Sequence, residues 1–191
     1  MRKSSILFFA SVVALSSSPA LAVSTLGDWD GSQSVGSFGC PNTTTYGQVI
    51  TIPQGRHTLN KFSFEWENST SGSMTVRGEV YAWDGSKATG SALYESDPRN
   101  VSFNTAGFRK KSFAPFVAVT PGAQYVVFAS IDKDFESCTD NYTLDWGSVD
   151  DSTYTKGTFV YQNNSGDESQ WTTASWNTFG IDLAFKVDLA P

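Results

Sequence analysis

Ser73-Met74-Thr75-Val76-Arg77-Gly78-Glu79-Val80-Tyr81-Ala82-Trp83 alternates more regularly than any other part of the chain. Met74, Val76, Val80 and Ala82 share one parity, while Thr75, Arg77, Glu79, Tyr81 and Trp83 share the other. This is the two-residue period of a strand with one face turned to a core. The second face carries charge and two large aromatics, so it is expected to be either solvated or a binding surface.

Strands of similar character are expected outward from this one. Upstream, Val23 to Asn42 is rich in Gly and Ser around Trp29 and reads as an irregular first strand. Tyr46 to Ile52 alternates and stops at Pro53, and Leu59 to Trp66 sets Phe62, Phe64 and Trp66 opposite Lys61, Ser63 and Glu65. Downstream, Asp84 to Gly90 reads as a loop before a short strand over Ala92 to Ser96. Short strands follow at Val101 to Phe103, Phe108 to Phe113 and Phe116 to Val119. Gln124 to Ile131 is apolar on both parities and predicts a central strand covered on both faces. Asp132 to Thr155 is polar and acidic and reads as a long loop. Gly157 to Gln162 and Leu183 to Leu189 close the set. Eight or nine short strands with turns between them, and no helical period over ten residues, predict an all-β fold: a two-sheet antiparallel β-sandwich of jelly-roll type.

The N-terminus has a different pattern. Arg2 and Lys3 precede an apolar run from Ile6 to Leu15, followed by Ser16-Ser17-Ser18-Pro19 and Ala20-Leu21-Ala22. This is the layout of a secretory signal peptide, with cleavage expected after Ala22, and the run is too short to span a bilayer. Residues 1–22 are then the signal peptide and 23–191 a single domain, secreted or periplasmic. Without Arg2 and Lys3, 11 basic residues stand against 19 acidic ones, a net charge of −8. Such an acidic chain argues against nucleic acid and anionic membranes as partners, since both need clustered Lys and Arg. Cys40 and Cys138 both lie in the exported part, where an oxidising compartment favours a disulfide over two buried thiols.

Tyr46-Gly47-Gln48, Leu59-Asn60-Lys61-Phe62-Ser63-Phe64, Tyr81-Ala82-Trp83-Asp84-Gly85, Leu93-Tyr94-Glu95-Ser96, Thr120-Pro121-Gly122-Ala123-Gln124-Tyr125 and Asp182-Leu183-Ala184-Phe185-Lys186 carry a resemblance. The chain resembles a group of uncharacterised secreted bacterial β-sandwich proteins, many of which have a C-terminal sorting tail of the PEP-CTERM kind. Here Pro191 follows directly on the last expected strand, so no sorting tail is expected. The resemblance implies the fold and the compartment, and no residue roles.

The motifs of catalysis are sparse. His57 is the one histidine and sits in a turn, and no serine stands in a nucleophile elbow, so Ser-His-Asp chemistry is not expected. Carboxylate pairs such as Glu65 with Glu67, or Glu79 with Asp84, leave a glycan-active hydrolase as a third choice. Calcium is the cofactor to consider: Asp132, Asp134, Glu136 and Asp140 supply oxygen ligands in one segment, without EF-hand spacing. The tryptophans form the remaining constellation. Trp83 is expected on an outward face beside Tyr81, Glu79 and Asp84, and Trp146, Trp171 and Trp176 lie in polar segments. Exposed indoles suit the C–H face of a sugar, with carboxylates and amides for its hydroxyls. The expected function is an exported non-catalytic binding module for polysaccharide or surface glycan. A structural or adhesive component of the cell surface or matrix is the alternative.

Overall fold

The computed structural model describes residues 20–41, 43–68, 71–102, 106–138 and 142–191. In chain order the strands are β1 (Leu21–Ser24), β2 (Ser34–Gly39), β3 (Thr45–Thr51), β4 (Thr58–Asn68), β5 (Met74–Trp83), β6 (Ala88–Glu95), β7 (Arg99–Val101), β8 (Arg109–Phe113), β9 (Val117–Ala118), β10 (Gln124–Ser130), β11 (Thr143–Asp150), β12 (Phe159–Gln162), β13 (Asn177–Thr178), β14 (Ile181–Leu183) and β15 (Phe185–Ala190). A 3-10 turn occupies Asp132–Ser137, and α1 (Gln170–Thr173) is one helical turn. The apolar run of the expected signal peptide lies outside the described residues. Among those described, no helix is long and apolar enough to cross a membrane.

Two antiparallel sheets pack face to face. One runs β1-β15-β4-β11-β14, with β2 on β11 and with β8 and β9 on β4; the other runs β13-β12-β3-β10-β5-β6, with β7 on β5. The chain crosses repeatedly between them, since β3, β4 and β5 fall in alternate sheets, as do β10, β11 and β12. The sandwich expected from the strand pattern is the fold of this protein.

Alternation decides which side of each strand enters the core. Met74, Val76 and Val80 of β5 face the main core between the sheets, joined by Phe62, Phe64 and Trp66 of β4 and by Tyr125, Val127 and Ala129 of β10. Phe38, Trp66 and Trp146 meet near the centre, with ring centroids 4.8 to 6.2 Å apart. Gly78 continues the inward parity of β5, and a Cβ there would lie 2.3 Å from the Phe113 ring. Its missing side chain lets Phe113 in. Cys40 and Cys138 are bridged, with Cα atoms 6.3 Å apart, tying the end of β2 to the 3-10 turn.

The opposite parity forms a second, smaller core. Tyr81 of β5, Val126 and Phe128 of β10, Val49 of β3 and Val160 of β12 project from the outer face of the seven-stranded sheet, and Trp171 and Trp176 lie over them. β10 is therefore covered on both faces, as its sequence predicts.

Two expectations are corrected. The segment Asp132 to Thr155 is not one long loop. Its second half is β11, which pairs with β2, β4 and β14. Leu144 and Trp146 point inward from it, while Asp145 and Asp150 made it look solvated. Ala88 to Gly90, expected in a loop, begins β6, where Ala88 and Thr89 pair with Trp83 and Ala82.

Candidate functional site

The expected platform of exposed indoles is not what the fold builds. Trp146 is fully buried in the main core, because β11 presents it inward between the sheets. Tyr81, Trp171 and Trp176 are also buried, since α1 and the chain after it pack onto β5 and β10. Trp171 meets Tyr81 and Phe128 edge-on at 6.0 and 5.0 Å. Trp83 is half-buried and meets Trp176 edge-on at 5.7 Å. Asp84 is exposed, and its Oδ1 accepts hydrogen bonds from the backbone of Ser86 and Lys87, which lower its pKa. It caps its own turn.

Glu79, two positions before Tyr81 on β5, has 0 % exposure, and neither carboxylate oxygen has a hydrogen-bond partner. Burial pushes its pKa up to about 8, with the charge of Glu95 adding to the rise and Lys133 and Arg77 opposing it. Around it runs an ionic chain in which Arg77 pairs with Glu95 at 2.9 Å and with Asp134 at 2.6 Å, and Lys133 pairs with Glu95.

Two of the four expected calcium ligands have other partners. Asp132 is buried, and its Oδ2 accepts from Trp171 Nε1 at 2.6 Å, Asn164 Nδ2 at 2.6 Å and Thr45 Oγ1 at 3.1 Å. This network fastens the covering segment to β3. Asp134 is held by Arg77, Glu136 is exposed, and Asp140 lies outside the described residues. Among the described residues no group of three or more His, Cys, Asp or Glu is placed to hold a metal ion. His57 is exposed, and its backbone N–H donates to the Ala190 carbonyl.

A groove of about 390 Å³ opens at the opposite edge of the sandwich, where β2 of one sheet faces β12 and β13 of the other. It is lined by Ser34, Val35, Gly36, Thr43, Tyr46, Tyr161, Asn163 and Phe179. Tyr46, buried in the core, forms the floor. Tyr161 is its cross-strand partner, with ring centroids 6.2 Å apart, and stacks on Phe159 at 5.6 Å and 16°. Phe179 stands at the rim with 61 % of its surface exposed. Burial pushes the Tyr46 phenol well above its usual range, and Tyr161 and Asp145 add to the rise, so Tyr46 stays a neutral hydroxyl. β2 bulges here, the register shifting between Leu144 and Trp146 so that Gly36 and Ser37 lie opposite Asp145. A Cβ at Gly36 would lie 2.3 Å from Asp145 Oδ1, so any larger residue there has to displace the carboxylate. Of these lining residues, Phe179 alone had a readable signal, an aromatic beside Gly180 in a polar turn. Tyr46 and Tyr161 come together only through the pairing of β3 with β12.

The arrangement is thus a disulfide-tied β-sandwich with an aromatic groove at one open edge. No family model matches the chain, and none of the curated proteins does. Among solved structures, a similar one is that of the cysteine protease and lectin-like domains of Cwp84, a surface layer associated protein of Clostridium difficile. The identity is 9 % and the TM-score 0.47, over 78 % of this chain and 32 % of that one. The chain spans about a third of the length of that protein, and the functional reading rests on the groove itself.

Proposed function

We propose that this protein is an exported, non-catalytic carbohydrate-binding module whose site is the groove between β2 and β12. The observation that carries the reading is the pairing of aromatic planes, Tyr161 in the wall and Phe179 at the rim, with the hydroxyls and amide of Ser34, Thr43 and Asn163. Aromatic planes favour the C–H faces of sugar rings, and a few convergent polar groups fix orientation. The groove volume falls within the range of small-ligand sites. Export is supported by the Cys40–Cys138 bridge, a bond kept in oxidising compartments. Proposed with it are the N-terminal signal peptide and kinship with secreted bacterial β-sandwich proteins.

The test is retention on immobilised polysaccharides with assay of released sugar. Retention without product release is the expected result. Product release makes the protein a hydrolase, and absence of retention on any polysaccharide removes the reading. A structural or adhesive role is the second reading, favoured by Leu93 on β6, an exposed apolar side chain at the sheet edge opposite the groove.

A further inference from the structure

We infer that the groove selects uncharged oligosaccharides and rejects uronates and sulfated sugars; this rests on the carbohydrate-binding reading and names its ligand class. Among the described lining residues there is no Lys or Arg. An anionic sugar entering the groove gives up water around its carboxylate or sulfate and receives no cation in return, which is costly. The charge that does stand close has the wrong sign. The Asp145 carboxylate lies against the backbone of Gly36, one of the lining residues, and its field already acts on the Tyr46 phenol.

The surroundings extend that field. Ser34 is preceded by Gln33, which lines a second, smaller pocket together with Asp28, Asp30 and Asp150. An acidic pocket thus stands beside the uncharged groove at the start of β2, and its carboxylates add negative potential to the approach from solvent. The groups that do face the groove are neutral and bifunctional: the hydroxyls of Ser34, Thr43 and Tyr161 donate and accept, and the Asn163 amide does both through separate atoms. Such a set matches sugar hydroxyls and N-acetyl groups, which also donate and accept. It offers no fork for a carboxylate.

The experiment is titration calorimetry of the protein with hexasaccharides of cellulose, xylan and chitin, and with hexagalacturonate and a hyaluronan hexamer, at low ionic strength. At least one uncharged hexamer is expected to bind, with both uronates at least about tenfold weaker. Tyr161→Ala and Phe179→Ala are each expected to weaken that binding at least about tenfold. Phe179→Ala, at the exposed rim, should leave the melting temperature near that of the parent protein, whereas Tyr161→Ala should lower it because Tyr161 also packs against the main core. Asn163→Lys is expected to narrow the gap between uronate and uncharged hexamers, by placing a cation where the groove has none. Uronates that bind as tightly as uncharged hexamers, and lose binding in Tyr161→Ala, overturn the inference while the carbohydrate-binding reading stands. Binding that survives both aromatic substitutions overturns the assignment to this groove. No binding of any hexamer overturns both.

Discussion

Glu79 is the residue whose environment differs most from what its position in the sequence suggests. On β5 it alternates with Arg77 and Tyr81 as a surface carboxylate does, yet it is fully buried with no donor to either oxygen. Its folded pKa of about 8 stands above the ordinary value of 4.5. The folded state therefore holds a proton that the unfolded chain has released, and stability falls as pH rises from about 4.5 to about 8. Asp182, raised to about 6 by burial against the bonds from Gln48 and Tyr154, adds a loss of the same sign at lower pH. Asp30, Asp84 and Asp167 act oppositely, but only as pH falls through their lowered values below 3.8. Chemical denaturation is expected to show greater stability at pH 5 than at pH 8.5, with Glu79 contributing up to roughly 4 kcal/mol. In Glu79→Gln most of that difference should vanish; an unchanged pH profile would show that Glu79 is not its source. Among the indoles, Trp146→Ala is expected to cost about 3 to 5 kcal/mol as a core truncation. Trp83→Ala should cost less because Trp83 is half-buried, and it should leave saccharide binding intact, since β10 and β3 stand between β5 and the groove strand β12. Denaturation curves and titrations of the two variants decide this, and loss of binding in Trp83→Ala would return the site to β5.

At the scale of elements, the covering segment over β5 and β10 is fastened by polar bonds as well as by its two tryptophans. Asp132 Oδ2 gathers three donors, one of them Trp171 Nε1, so Asp132→Ala removes the one charged acceptor they share and leaves Thr45, Asn164 and Trp171 only their neutral partners. Local opening is the expected outcome: faster amide exchange across 163–171 with the β4 amides still protected. Uniform loss of protection would mean that the segment and the sandwich open together. β12 depends on a different constraint. Gly157 precedes it where a Cβ would lie 1.8 Å from the Val49 carbonyl oxygen, and the Val49 N–H donates to the Thr158 carbonyl at 2.9 Å. Gly157→Ala must push β12 off β3, which should both lower the melting temperature and weaken saccharide binding, because Tyr161 rides on β12. A variant with normal melting and normal binding would show that the edge is more pliable than its packing indicates.

For the whole molecule, the Cys40–Cys138 bridge closes 98 positions of chain, and such a loop restricts the unfolded state by about 4 to 5 kcal/mol. A Cys40→Ser, Cys138→Ser double variant is expected to lose stability of that order and to keep the same far-ultraviolet dichroism at low temperature, since neither sheet is built on the bridge. Cleavage after Ala22 would leave Val23 and Ser24 of β1 on β15, paired with Val187 and Lys186. Intact-mass measurement of the exported protein under non-reducing conditions checks both the bridge and that N-terminus.

The sequence by itself determined what alternation and chemistry encode locally. The inward and outward sides of β4, β5 and β10 are legible because period two assigns each side chain to a face, and two cysteines behind an apolar leader-like run make a bridge the expected pairing. β11 was not legible, since Asp145 on its outward side and Asp150 at its exposed end outweigh the inward Leu144 and Trp146 when neighbouring strands are unknown. Only the tertiary structure decided which outward faces stay wet. Whether Tyr81, Trp171 and Trp176 form a platform or a second core depends on where the chain after β12 folds back, a long-range contact with no local signature. The groove has the same origin: Tyr46 and Tyr161 lie far apart in the chain, and meet because β12 pairs with β3 while the β2 bulge at Gly36 holds the opposite wall open.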